Sequence, residues 1–439
     1  PPSRRRRALA AAVVLVAGAL AAAGGIALSR ADLDGRVRAR IEWAFREATG
    51  GALRIESIDV RLLRLEAEAR GVSASVPAEG TGPLEASAAR LRVRLAWQGL
   101  ASMGLGRLRL ADVEAEGVEL AFTRDFLEAY GRRPPRGEQF GVRIDRLRLA
   151  RGVFRYGDRL TPLELEARDV SVEASWSSFR GGLSGAANLS MSLRRAPFAR
   201  PYPLRVRSRF LLGESRVELH AAEVRAPGIE ATFHANVQRS EGAPYTGSAT
   251  ISADLRALGE WLDPAFPAIA GEARADLILD GLGGELRAVG PVRVREGRLG
   301  PLRASEASGR VEYRAGCLSV RKLVASAFGG RLEGTVDVEL SDPVRFAARA
   351  PGAGLDVGEV LALARLPLPL SARARLDLDV RGVPAAPATW EGSGHLAAEP
   401  GPPARGIPVR LAGPFEFRAG RFVIPAARVE SEATELEIA

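Results

Sequence analysis

The chain has 439 residues, 62 of them basic and 53 acidic, giving a formal net charge of +9. The charges are interspersed, almost all the positive ones are arginine, and aromatics are only 6% of the chain. No basic stripe interleaved with aromatic rings is present, which argues against nucleic-acid binding. Cys317 is the only cysteine, so an internal disulfide framework is excluded and stability must come from burial and backbone pairing.

Arg4 to Arg7 precede an uncharged run from Ala8 to Leu28. As a helix rising about 1.5 Å per residue this run is roughly 31 Å long, close to the hydrocarbon thickness of a bilayer. Residues 1–30 therefore read as a basic cytoplasmic flank and a transmembrane anchor. A cleavable signal peptide ending near Ala21, Ala22, Ala23 and Gly24 is the alternative. In either case residues 31 to 439 are exported, because the arginine flank stays in the cytoplasm. The absent initiator methionine and the strand-like end at Glu435–Ile438 suggest a piece of a longer protein.

Residues 31–51 read as an amphipathic helix over about Asp32 to Thr49. Leu33, Val37, Ile41, Ala44, Phe45 and Ala48 recur at helical spacing. Asp32 and Asp34 suit its start, and Gly50-Gly51 its end. This face either packs on the first strands, the favoured expectation, or lies on a bilayer surface.

From Leu53 the period changes to two. Leu63, Leu65, Ala67 and Ala69 alternate with Arg64, Glu66, Glu68 and Arg70. Leu91, Val93, Leu95 and Trp97 alternate with Arg92 and Arg94. Leu163, Leu165 and Ala167 alternate with Glu164, Glu166 and Arg168. Leu277 and Leu279 lie in a similar run, and Leu376, Leu378 and Val380 alternate with Asp377, Asp379 and Arg381. Such alternation predicts antiparallel strands with one apolar and one wet face. Gly and Pro clusters, such as Pro134-Pro135-Arg136-Gly137 and Gly329-Gly330, punctuate them.

Similar segments recur at a spacing of about 100 residues, the kind of fixed period that marks repeat architecture. EYRAG (Glu312 to Gly316) returns as EFRAG (Glu416 to Gly420), and ADLILDG (Ala275 to Gly281) as LDLDVRG (Leu376 to Gly382). The regions are a β-rich part over 52–250, one repeat unit over 251–350 and a second, truncated one over 351–439. Asp125 to Tyr130, Leu255 to Leu262 and Val357 to Leu363 are short candidate helices. They are too few to cover several hundred residues of apolar sheet face. The sheet either folds onto itself or stays an open trough covered by something else, such as lipid chains.

Catalytic and metal signatures are missing. His220, His234 and His395 have no second histidine or cysteine at ligand spacing, and no nucleophile elbow or phosphate loop occurs. Glu66, Glu68, Asp377 and Asp379 read as solvating residues of wet faces, and Cys317 as a small buried residue opening a strand. A non-enzyme without cofactors is expected.

These features together resemble the AsmA/TamB-type proteins of bacterial envelopes. The matching stretches are Ala48 to Ser75, VFRYGD (Val153 to Asp158), FGGRLEGTVDV (Phe328 to Val338) and SGHLAAEPG (Ser393 to Gly401). The resemblance covers essentially the whole chain, with degenerate motifs. It implies a mainly β fold, in which an N-terminal transmembrane helix precedes an elongated, repetitive antiparallel sheet trough with short interspersed helices. It also implies a single inner-membrane pass, a periplasmic bulk and a groove for phospholipid acyl chains in intermembrane lipid transport. An outer-membrane β-barrel partner, engaged through a further C-terminal region, is the TamB-like alternative, with a role in outer-membrane protein assembly. A structural β-sandwich array is the third. The expected groove lining is Leu63, Leu65, Leu91, Val93, Leu95, Leu163, Leu165, Leu277, Leu279, Leu376 and Leu378.

Overall fold

Beyond Gly51 the backbone is overwhelmingly strand, as period-two patterning dictates. A computed structural model describes residues 33–438 apart from 79–80, 98–106, 124–140, 159–162, 195–197, 214, 239–243, 282–285, 301, 342, 364–369, 402–406, 419–420, 424 and 432–433. The expected anchor and the candidate helix at 125–130 lie outside the described residues. Among those that are described, no helix is long and apolar enough to cross a membrane. Two compact units are present. One runs through Arg194 and takes in Pro201–Arg225 and Phe233–Tyr245; the other holds Arg195–Arg200, Ala226–Thr232 and the chain from Thr246.

The first unit opens with α1 (Leu33–Thr49). Then come β1 (Ala52–Arg61), a 3-10 turn (Leu62–Arg64), β2 (Glu66–Ala78), β3 (Thr81–Leu95), β4 (Arg107–Thr123), β5 (Gly141–Ile144) and β6 (Arg146–Asp158). β7 (Leu163–Ser177), β8 (Gly182–Arg194), β9 (Tyr202–Gly213), β10 (Arg216–Ala226) and β11 (Ile229–Gln238) follow. Neighbours pair antiparallel, except that β4 runs parallel to β5 and β6. That parallel step was not anticipated. Its sequence signal is charge sign. The wet faces of β2, β3, β4 and β6 read acidic, basic, acidic and basic in turn. Arg92 bridges Glu66 at 2.8 Å and Glu114 at 3.4 Å, and Arg148 bridges Glu114 at 3.3 Å across the parallel pair. Opposite charges on facing strands favour these pairings.

α1 packs as the favoured expectation had it. Val37, Ile41 and Phe45 are buried with Ile55, Ile58, Ala69, Val93, Leu95 and Leu110 in one core. The helix also caps the outer edge of β1. Ile55 N donates to Glu42 Oε1 at 3.0 Å, Val60 N donates to Asp34 Oδ1 at 3.3 Å, and Arg38 donates to the Glu56 carbonyl at 3.3 Å. An otherwise unpaired strand edge is thereby occupied.

The alternation slips phase inside several strands. In β1 the buried set passes from Leu53 and Ile55 to Ile58, yet all three face the same core. Left-handed residues mark slips in β2, β4, β6 and β7: Gly71 (φ 57), Gly117 (φ 61), Arg151 (φ 55) and Asp169 (φ 52). A residue at positive φ works as in a bulge, turning the strand so that the next residues face the other way.

The second unit begins with β12 (Tyr245–Asp254), α2 (Leu255–Gly259), β13 (Ile269–Gly281), β14 (Arg287–Leu299), β15 (Leu302–Arg314), β16 (Cys317–Ala327) and β17 (Gly330–Glu339). It continues with β18 (Arg345–Arg349), β19 (Gly352–Asp356), α3 (Val357–Leu363), β20 (Leu370–Val383), β21 (Ala386–Pro400) and β22 (Ile407–Pro408). β23 (Arg410–Arg418), β24 (Arg421–Val423), β25 (Ala427–Ser431) and β26 (Thr434–Ile438) complete it.

The repeat is structural. Asp254 caps α2 through Arg256 N and Ala257 N, and Asp356 takes Gly358 N and Glu359 N at the start of α3. Each helix leads into a long strand, β13 or β20. The strands carrying the two motifs pair equivalently, with Arg314 opposite Cys317 and Arg418 opposite Arg421. The next pairings also match, with Ala327 opposite Gly330 and Ser431 opposite Thr434. Cys317 is exposed rather than buried, because it sits directly after the hairpin turn.

Candidate functional site: an open apolar sheet face

The apolar residues of the two units are buried to different degrees. Under α1, Val93 and Leu110 are 0% exposed. A second buried cluster, Leu355, Val357, Ala372, Ala374, Ala398 and Val409, gathers around the start of α3. Between α2 and α3 the pattern differs. Tyr313 stands opposite Leu318, Leu318 opposite Val338, and Val338 opposite Phe346. Beside this row runs another: Val311, Val320, Val336, Ala348 and Val380. All of these side chains are only half-buried. Leu279 and Ala288 extend the first row onto β13 and β14.

Neighbouring strands lie about 4.8 Å apart, so a row crossing β15, β16, β17, β18 and β20 spans roughly 19 Å. Lateral neighbours shield these side chains in part, while the main helix contacts among the described residues are those of α1 with β1, α2 with β13 and α3 with β19 and β20. The far end of the row is fixed by Phe346 and Trp390, edge to face with centroids 5.2 Å apart. Trp390 Nε1 donates to the Val383 carbonyl at 2.8 Å, which satisfies its polar end. A comparable open face occurs within the first unit, where Leu189 faces Val206 and Val206 faces Val224, all half-buried.

The structure divides the expected groove residues. Leu277, Leu279 and Leu378 are half-buried on the open face. Leu376 is half-buried but packs against the cluster at α3. Val93 and Leu95 are core residues beneath α1, and Leu91 and Leu65 pack against that core. The expectation fails for these four because α1 covers the strands that carry them. It fails for Leu63 for a different reason. Leu63 lies on the 3-10 turn and is 94% exposed, and Leu65 has φ 49, so the strand begins only at Glu66. Leu163 and Leu165 fall in β7, but their side chains lie outside the description. Val311, Leu318, Val320, Val336, Val338 and Phe346 were overlooked; the alternation in Thr335–Glu339 signals two of them.

The wet face also departs from expectation. Glu66 and Glu68 are 2% and 5% exposed, not solvating. Two bonds from Arg90 and two from Arg70 clamp Glu68, at 2.9–3.1 Å. Those bonds, Arg90 foremost, hold its carboxyl down at about 2. Glu66 is lowered too, chiefly by its bond to Arg92. These are structural ion pairs rather than a reactive pair. Asp377 and Asp379 stay exposed on the wet side of β20. Among the described residues no group of three or more His, Cys, Asp or Glu could hold a metal ion.

Comparison with protein-family models, with curated proteins and with solved structures gives no match.

Proposed function

We propose that this chain is a membrane-anchored envelope protein that carries lipid acyl chains along the open apolar faces of its sheets. This is the activity the AsmA/TamB resemblance implies. The observation that carries it is the pair of half-buried rows crossing β15 to β20. A contiguous apolar surface of this kind marks an interaction site, because leaving it in water is unfavourable. Acyl chains laid on it would be shielded at about 0.8 kcal/mol per buried CH₂. A continuous face lets a lipid slide without a catalytic step, a metal or a cofactor. The inner membrane would hold the basic flank and the apolar run, with the sheets in the periplasm. Strand templating, the assembly alternative, has less support at the β1 edge, which α1 already occupies.

The test is Val320→Asp and Leu378→Asp, each in the full chain, with co-purifying lipid measured by mass spectrometry. A carboxylate on a lipid-carrying face costs a few kcal/mol when acyl chains cover it, yet can hydrate when the face is empty. Both variants should fold and lose bound lipid, while Asp377→Arg on the wet side keeps it. If wild-type protein carries no lipid, or both aspartate variants unfold, the reading is wrong.

A further inference from the structure

We propose that one end of the first unit is a rim that seats on a lipid bilayer with anionic headgroups. The first unit has four exposed large apolar side chains among its described residues: Trp43, Leu63, Trp97 and Phe179. Leu63, Trp97 and Phe179 are 94%, 70% and 98% exposed, more than any ordinary surface position needs.

Strand register places these three at the same end. Arg61 pairs with Glu66, and Glu66 with Arg94, so the Leu63 turn sits beside the end of β3 that leads into Trp97. Leu95 pairs with Leu110, and Leu110 with Ile144 across the parallel step. Arg146 then pairs with Ser175, and Ser177 with Gly182, which brings in the turn bearing Phe179. The parallel step between β4 and β6 is what keeps Phe179 at this end, since an antiparallel pairing there would have sent it to the other.

Two further observations identify the occupant. Exposed Arg64 directly follows Leu63, and exposed Arg180 directly follows Phe179. Of the acidic groups at this end, Asp59, Glu66, Asp112 and Asp145 are each held by an arginine, and exposed Asp34 accepts from Val60 N. Apolar tips flanked by arginine match an anionic lipid surface, with the tips below the headgroups and the guanidinium groups at the phosphates. The start of α1 also lies here, because Asp34 accepts from Val60 N near the end of β1. Leu28, the last residue of the apolar run, is five residues before Leu33 and so within roughly 17 Å of it at full extension. The proposal rests on the membrane-anchored reading above and adds a second, independent contact to it.

The experiment uses the full chain with Cys317→Ser, mixed with vesicles of phosphatidylcholine and phosphatidylglycerol. A thiol spin label is placed singly by Leu63→Cys, Phe179→Cys or Glu85→Cys. Glu85 is exposed and nine residues back along β3 from Arg94, roughly 30 Å from the rim. Collisions with oxygen, which concentrates in the membrane, are compared with those of a water-soluble nickel chelate. Labels at 63 and 179 should favour oxygen several-fold, and the label at 85 should favour the chelate. Arg64→Glu with Arg180→Glu should reduce the oxygen preference at both tips. If the chain floats with the vesicles but 63 and 179 behave like 85, the rim is refuted and the anchor reading stands. Failure to float refutes both. An oxygen preference indifferent to the arginine reversals refutes the headgroup part of the proposal.

Discussion

The strands under α1 and those between α2 and α3 have the same alternating pattern and different surroundings. Val93, between Arg92 and Arg94, and Val320, between Ser319 and Arg321, are both valines on the apolar face of a strand. Val93 is 0% exposed because Ile41 and Phe45 of α1 belong to the same core. Val320 is half-buried, with Val311 and Val336 as its cross-strand neighbours. The contrast teaches that alternation encodes an apolar face, while the covering layer decides whether that face is a core or an open surface.

A charge at each position is the most severe way to break the comparison. Val93→Asp should unfold the first unit or destabilise it by more than about 4 kcal/mol, since a buried carboxylate has no partner there. Val320→Asp should cost about 1 kcal/mol or less without lipid. Urea unfolding of both variants measures the gap, and equal losses would erase the distinction between core and open face.

Truncation tests the same contrast more gently. Ile41→Ala should cost about 2–4 kcal/mol, as for a filled core site. Val338→Ala should cost under about 1 kcal/mol, as little contact surface is lost.

The wet side of the covered region provides a pH test. The folded Glu68 carboxyl titrates near 2 and the unfolded one near 4.5. Because the folded value is the lower one, its contribution is complete above about pH 4.5 and is lost as pH falls from there towards 2. Wild-type protein should therefore lose more stability than Glu68→Gln between pH 6 and pH 3. Arg90→Ala, which removes the larger of the two clamps, should cost about 1–3 kcal/mol at neutral pH. A pH dependence identical in wild type and Glu68→Gln would show that the clamp contributes nothing.

The smallest effect concerns the edge cap. Asp34→Ala with Glu42→Ala should cost only about 1 kcal/mol, because both bonds are partly exposed. Its sharper signature is faster hydrogen exchange at the Ile55 and Val60 amides, with the Val93 amide unchanged.

Residues 33–49 were legible as a helix because its apolar side chains return every three or four positions, and a packed helix needs no more information than that. The repeat was legible because its hairpin turns require particular residues at fixed spacing. Which apolar positions lie on the open face was legible only in part. Leu277, Leu279 and Leu378 lie on the open face, whereas Val93 and Leu95 do not. Leu63 to Ala69 reads as unbroken alternation, yet the left-handed Leu65 ends a turn within it, and Glu66 and Glu68 are buried beneath the arginines that bind them. The alternating charge of β2, β3, β4 and β6 was in the sequence too, and it is compatible with the strand order observed.

The sequence by itself determined the mainly β class, the covering helix, the repeat spacing and the sign of each strand's wet face. These follow from side-chain period and turn chemistry, which act between residues close in the chain. Only the tertiary structure decided which apolar faces are covered, where left-handed residues reset the phase, and that β4 meets β6 in parallel. Each of these depends on what lies above or beside a strand, contacts made by residues far away along the chain. No local pattern can distinguish Val93 from Val320, because the difference between them is α1.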